Sequence, residues 1–520
     1  VVQGIAEVIR AVRRKGVVLW SEAGELRFRG PKGALTREEL EKLRAARSHV
    51  IALLESSSAA WELEPPLKPR EHAGPVPLSY SQLAHWNLWR LAERPSIRQV
   101  AMAIRLRGRL DVPALRSAFA FLVQRHEALR TRVIAISGVP MQVVDTVGSA
   151  ELEQDDPAGM DTTALELEVS ERIQAFVHRP VEVGVGPLFA AKLIRLAECE
   201  HVLVLATEHL ISDGCSLNIL LTDLMAAYEQ AVSGRPMQLA PVPIQLADYA
   251  EWQSRARKYW QARHGSYWKE RLKDARALRF PRSRIPRPWE RASATVPVRI
   301  ENGTREKLRA WCRERRTTSA LGVLAAYCAL MMRWCAVPEA VFRFVSDGRE
   351  DLRTEHTVGF FATVLYLRIF VREKDSFPDL VARVTAEYCA AREHADHSLL
   401  ASREPPPPYA GNPVFNWAPQ GNALPELAAL KGTDHAVDLE LVPIVIPLGP
   451  DPNLEREPSI LLFDRPDALE GDLYFPARRV DEEAIRQFGA SLETFLREVL
   501  DDPHRPLQEV AAWDAREGAQ

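Results

Sequence analysis

Chemistry is most readily placed in this chain at Glu208-His209-Leu210-Ile211-Ser212-Asp213-Gly214. The ordinary pKa of histidine lies near neutral pH, so an imidazole held at the mouth of a core can take or hold a proton there. Asp213 can shape the turn that carries such a ring, and Gly214 allows backbone dihedrals that a side chain would forbid. A single His with an Asp at this spacing also fits a hydrogen-bonded structural histidine.

The flanking elements decide where the motif sits. Val202 to Ala206 is rich in Val and Leu and reads as a buried strand. Ser216, followed by Leu217, Leu220, Leu221, Leu224 and Met225, reads as the start of a capped helix. His209 and Asp213 therefore occupy a strand-to-helix turn. With 520 residues and 46% hydrophobic content, the chain is too long for one ordinary core, and two or three domains are expected. A net charge of −3 without a basic tract argues against nucleic acid as a partner. Six cysteines without a Cys-x-x-Cys pair argue against a zinc site or a disulfide framework and fit a reducing cytoplasm. Ala320 to Met332 is shorter than the roughly 17–25 residues of a membrane span and reads as a buried helix capped by Ser319. No membrane association is expected, and no signal peptide is visible from Val1 onward.

Residues 1–57 read as a separate small α+β unit. Gly4 to Arg14 has helical periodicity, Val17 to Trp20 and Glu25 to Arg29 read as strands about a turn, and Thr36 with Glu39 has capping-box spacing. Residues 58–75, rich in Ser, Ala, Pro and charge, read as a linker. The run from Val18 through Thr36 resembles the tubulysin-type β-hairpin docking domains of synthetase subunits. That resemblance implies a hairpin that takes up an acidic C-terminal linear motif from an upstream carrier protein as an added strand, with Arg27, Arg29 and Lys32 attracting it.

Beyond the linker the chain resembles the condensation domains of nonribosomal peptide synthetases, members of the chloramphenicol acetyltransferase-like superfamily. The motif around His209 is similar to their His-His-x-x-x-Asp-Gly signature, with Glu208 in place of the first His. Pro77 to Trp89 looks like the opening motif, Arg125-His126-Glu127-Ala128-Leu129-Arg130-Thr131 the second, and Gln245 to Trp252 the fourth. Val358-Gly359-Phe360-Phe361-Ala362-Thr363-Val364 resembles the fifth, with Ala362 where Asn is usual. The similarity is loose at His394 to Leu399 and returns at Asn412 to Trp417 and Leu473 to Pro476.

The resemblance implies two α/β acetyltransferase-like lobes in a V-shaped pseudo-dimer, residues 76–280 and 281–512, preceded by the docking domain. It implies acyl transfer from a carrier-bound phosphopantetheine thioester to an amine or hydroxyl, with His209 catalytic and no bound cofactor or metal. Asp213, Gly214 and an Arg such as Arg130 would support the turn. The acceptor would come from a second carrier protein or be a free small molecule, and the protein would act as a monomer. Two other functions stay open: a non-catalytic condensation-like recruitment platform, and an acyltransferase using free coenzyme A. The motif also leaves open whether His209 is base or positioner, and whether Glu208 approaches it or only packs.

Overall fold

The computed structural model describes residues 8–9, 11–12, 15, 17–22, 25–29, 35–48, 50–51, 65–91, 99–148, 151–157, 162–280, 294–395, 411–418, 439–444, 459–477, 480 and 482–510. Contacts divide the chain into two compact units. The first comprises Val1–Arg263, Asp347–Ala362 and Ala423–Pro447; the second comprises His264–Ser346, Thr363–Asn422 and Leu448–Gln520. The sequence reading instead draws a single boundary near residue 281. Two stretches beyond that point fold with the first unit because they complete its sheet and its core.

At the N-terminus, Val18–Glu22 and Glu25–Arg29 form an antiparallel hairpin with Val18 opposite Arg29. Helix Arg37–Ala45 follows, and Thr36 and Glu39 form the expected capping box. Ile9, Val12, Val17, Leu19, Leu43 and Val50 make a small core of their own. Arg27 is exposed and pairs with Glu25 at 3.0 Å. Arg29 contributes its backbone to the hairpin, while its side chain and the whole of Lys32 lie outside the described residues. The last part of the expected linker is packed rather than free. Leu67 is buried, Trp252 Nε1 donates to the Pro65 carbonyl at 2.6 Å, and Arg70 pairs with Glu127 and Asp248 at 2.7 and 2.9 Å.

Among the described residues the main sheet of the first unit has five strands in the order Leu439–Ile444, Gln99–Gly108, Glu200–Glu208, Phe189–Ala197 and Leu152–Asp155. All pairs are antiparallel except the last. Glu200–Glu208 therefore lies between two full-length partners. Side chains alternate along it: Leu203 and Leu205 join one core with helices Val112–Arg125 and Gly214–Val232, and Val202, Val204 and Ala206 join another with helix Thr162–Val177. Burial on both faces explains why its sequence is a continuous apolar run rather than an alternating one.

In the second unit the described residues form a six-stranded mixed sheet that runs Ala294–Glu301, Ala468–Phe475, Ser459–Asp464, Val414–Ala418, Glu339–Ser346 and Thr363–Phe370. Helices Asn302–Glu314, Ser319–Trp334, Phe377–Glu393 and Glu482–Asp501 share one core with it. The expected buried helix is Ser319–Trp334, and its cap is Thr318, whose hydroxyl accepts from the Leu321 amide at 3.3 Å. Among the described residues no helix is long and apolar enough to cross a membrane.

Candidate active site

The motif strand ends at Glu208, a single 3-10 turn spans His209–Ile211, and helix Gly214–Val232 begins at once. Asp213, not Ser216, caps that helix, accepting from the Ser216 amide at 2.9 Å. Ser216 lies inside the first turn. Its hydroxyl is 2.8 Å from both Asp213 Oδ1 and the Gly359 carbonyl, and accepts from the Gly359 amide at 3.0 Å.

His209 Nδ1 lies 2.8 Å from the Ser212 carbonyl oxygen. A carbonyl can only accept, so Nδ1 carries the proton and the neutral ring keeps its lone pair on Nε2. Burial, followed by the nearby His85, pushes the His209 pKa below its ordinary value, outweighing the opposing pull of Glu208 and Asp213. The ring is thus neutral at pH 7, with a free basic nitrogen. Phe360 packs on it at a centroid distance of 4.2 Å, and part of the residue remains accessible to solvent. Cys215 is not a competing nucleophile, since burial and then the Asp213 charge push its thiol up.

Asp213 finds its ion-pair partner in Arg349, not Arg130. Arg349 Nη1 and Nη2 bind the two carboxylate oxygens at 2.8 and 3.1 Å, and the amides of Phe361 and Ala362 add bonds at 3.1 and 3.3 Å. Burial alone would raise the Asp213 carboxyl, but Arg349 and Ser216 outweigh it and hold the pKa below its ordinary value. Arg130 is occupied elsewhere, donating to the Asp145 carbonyl and lying 3.9 Å from Glu127. Gly348 makes the Arg349 contact possible. It has φ +68°, and a Cβ there would fall 2.0 Å from the Phe361 carbonyl oxygen. Gly214, by contrast, needs neither a left-handed dihedral nor a close backbone approach within the protein. The space over its Cα is open.

Glu208 is buried and faces inward. One carboxylate oxygen takes the Leu210 amide, and the other lies 3.2 Å from His85 Nε2. Helix Tyr80–Leu91 carries His85 and also Gln82, whose amide donates to the Leu210 carbonyl at 2.8 Å. Phe360, His85 and Gln82 fall within the motifs quoted above and Arg349 follows strand Glu339–Ser346, yet sequence reasoning gives none of them a role. The available signal was a buried Asp that requires a cation, with an Arg directly after a Gly at a strand end. Ala362 takes part through its backbone, its carbonyl accepting from Ser81 Oγ at 2.9 Å. Among the described residues no group of His, Cys, Asp and Glu is arranged to hold a metal ion.

By its likeness to solved structures, this arrangement of mixed α/β sheets is the chloramphenicol acetyltransferase-like fold. Residues 72–400 match the condensation domain family and residues 5–56 match the TubC N-terminal docking domain. The chain belongs to the condensation domain family, whose members are amide- and ester-forming acyltransferases of nonribosomal peptide synthesis. Such domains carry no cofactor of their own and act on substrates held by the phosphopantetheine of carrier domains. It is 29% identical to enniatin synthase of Fusarium equiseti over 453 residues, 85% of this chain and 14% of that protein. Its fold is similar to the X-domain in a complex with OxyB from teicoplanin biosynthesis (TM-score 0.71, 23% identity, covering 87% of this chain and 99% of that one). It is also similar to the EpoB cyclization-docking bidomain of Sorangium cellulosum (TM-score 0.66, 21% identity, covering 96% and 98%).

Proposed function

We propose that this protein moves an acyl, peptidyl or polyketidyl chain from the phosphopantetheine thioester of an upstream carrier protein to an amine or hydroxyl acceptor. The observation that carries this reading is the Nδ1 bond to Ser212, which leaves the Nε2 lone pair of His209, a half-buried residue, available to a proton. Nε2 takes the proton of the attacking amine or hydroxyl as that group adds to the thioester carbonyl. The tetrahedral oxyanion then collapses, the carbon–sulfur bond breaks, and the proton passes from His209 to the departing thiol. General-base assistance of this kind is worth roughly 10²–10⁴-fold.

Residues 1–57 serve as the docking domain, receiving an acidic carrier tail as a strand beside the hairpin. The acceptor is delivered by a second carrier protein or arrives free, and the product is an amide or an ester, formed by a monomer in the cytoplasm.

Intact-protein mass spectrometry of an acyl-loaded carrier with candidate acceptors tests the reading. Wild type should deplete the acyl-carrier species and form product. His209→Ala should keep the fold and lose transfer by roughly 10²–10⁴-fold, and a folded variant with wild-type turnover would remove the catalytic assignment. The likeness to an X-domain seen with OxyB favours a second reading, a non-catalytic platform that binds a partner enzyme. That reading requires wild type to transfer nothing. Turnover of free acyl-coenzyme A without a carrier would instead mark a soluble-thioester acyltransferase.

A further inference from the structure

Both backbone polar groups of Leu210, the residue after His209, are tied to helix Tyr80–Leu91. Gln82 Nε2 holds the carbonyl at 2.8 Å. The amide is held by Glu208 Oε2, and Glu208 Oε1 in turn lies 3.2 Å from His85 Nε2. The two pair members are nearly closed to solvent, with side chains 10% and 2% accessible. The His85 ring stands 5.4 Å from the His209 ring and meets Phe360 edge-on at 5.9 Å. We propose that His85 and Glu208 act as one positioning pair, which fixes the turn presenting His209 and balances the charge beside its ring.

Titratable and charged groups approach His209 from four directions. Glu208 ends the preceding strand, His85 lies on helix Tyr80–Leu91, Asp213 and Cys215 open the following helix, and Arg349 reaches Asp213 from the segment 347–362. Asp213 and Arg349 form a bidentate pair. Burial is the largest cause against a proton on His209; beside it, His85 disfavours one, while Glu208 and then Asp213 favour one. A glutamate alone in this place would hold His209 protonated to higher pH and weaken it as a base; joining it to His85 removes that penalty while keeping the cap on the Leu210 amide.

The kinetic consequence rests on the acyl-transfer reading; the electrostatic one does not. His85→Gln and Glu208→Gln retain hydrogen-bonding groups of similar reach, and both are measured in the full chain. The His209 ring is titrated by NMR on histidine-labelled protein, and the pH dependence of kcat/KM is measured with an acyl-loaded carrier. In His85→Gln the His209 midpoint and the acidic limb of the rate profile should move to higher pH, and in Glu208→Gln to lower pH, each by on the order of one pH unit. The double variant should return close to wild type. Midpoints that stay put, or that move the same way in both single variants, would overturn the pairing. Should His85→Gln fail to fold, His85→Asn is measured by the same criterion. Opposite NMR shifts in a protein without transfer activity would support the charge balance and overturn the acyl-transfer reading.

Discussion

Replacing Arg349 with Met removes the guanidinium from a site where its side chain is 7% accessible and that of Asp213 is 4% accessible. Breaking a buried pair on one side costs about 3–5 kcal/mol, because the remaining charge is left in a poor solvent. Here the stranded carboxylate would keep the Ser216 amide and hydroxyl and the amides of Phe361 and Ala362. The cost of Arg349→Met should therefore fall near the lower end, about 3 kcal/mol. Asp213→Asn is worse placed. Whichever oxygen the amide nitrogen replaces, it would face one or more of the donors that converge on Asp213, and the buried Arg349 cation would lose its counter-charge, so a cost of about 5 kcal/mol is expected. In a unit of this size these costs correspond to roughly 5–8 °C in melting temperature. Asp213→Asn/Arg349→Met should lose less than the sum of the single variants by about 1–3 kcal/mol, since the second change removes a penalty the first created. Calorimetry and urea titration give the four corners of the cycle. The linkage follows from the lowered Asp213 carboxyl: its contribution is fully present above the ordinary pKa of 3.8 and is lost as pH falls through the lowered folded value. That acid dependence should disappear in Arg349→Met. A variant melting within about 1 °C of wild type, or full additivity in the cycle, would refute the clamp.

The remaining expectations concern open space and docking. Gly214→Ala meets no protein atom and no positive φ, so the fold should be unchanged or stabilised by about 0.4–1 kcal/mol. Slower transfer of the acyl group in this folded variant would place the substrate over Gly214, and an unchanged rate would exclude it. Changing Arg27, Arg29 and Lys32 together to Glu should weaken capture of the upstream carrier while sparing transfer from a concentrated pantetheine surrogate. Normal capture by this triple variant would overturn the docking role of residues 1–57. Wild-type capture should also weaken as salt shortens the screening length below about 8–10 Å, and a salt-independent affinity would deny these charges a part.

Local signals carried the elements well, and their failures have physical causes. The strand before the motif, the hairpin and the capping box all follow from short-range preferences, and the structure places them as read. Two helix caps were misplaced: Ser216 for Asp213 and Ser319 for Thr318. Ser, Thr and Asp all satisfy the same N-cap chemistry, and only the backbone path selects among neighbours. The family resemblance offers Arg130, from the second motif, as the partner of Asp213, but several arginines meet the need of a buried carboxylate by type. The choice of Arg349 depends on residues 347–362 folding with the first unit, a contact more than a hundred residues away in sequence. The return of Leu439–Ile444 to pair with Gln99–Gly108 was equally hidden, since an edge strand carries no local mark of its partner.

The pairing of Asp213 with Arg349 also bears on the proposed role of His209 as a base. In a Ser-His-Asp arrangement the carboxylate binds the imidazole Nδ1–H and stabilises the imidazolium as it forms. Here Nδ1 is bound by the Ser212 carbonyl, and Asp213 directs both oxygens to Arg349, Ser216 and the amides of residues 361 and 362. A backbone carbonyl fixes the tautomer as a carboxylate would, yet offers less stabilisation to the protonated ring. In the proposed role, His209 would therefore rest neutral and hold a proton only briefly. That suits an amine nucleophile, which needs its proton removed only as the new bond forms, and asks more of the site when the acceptor is a hydroxyl. Glu208, one residue before the ring and joined to His85, adds to the pull of Asp213 for a proton on His209, against burial and His85, so the motif divides its labour: Asp213 holds the shape of the turn, and the proposed Glu208–His85 pair adjusts how willingly His209 accepts a proton.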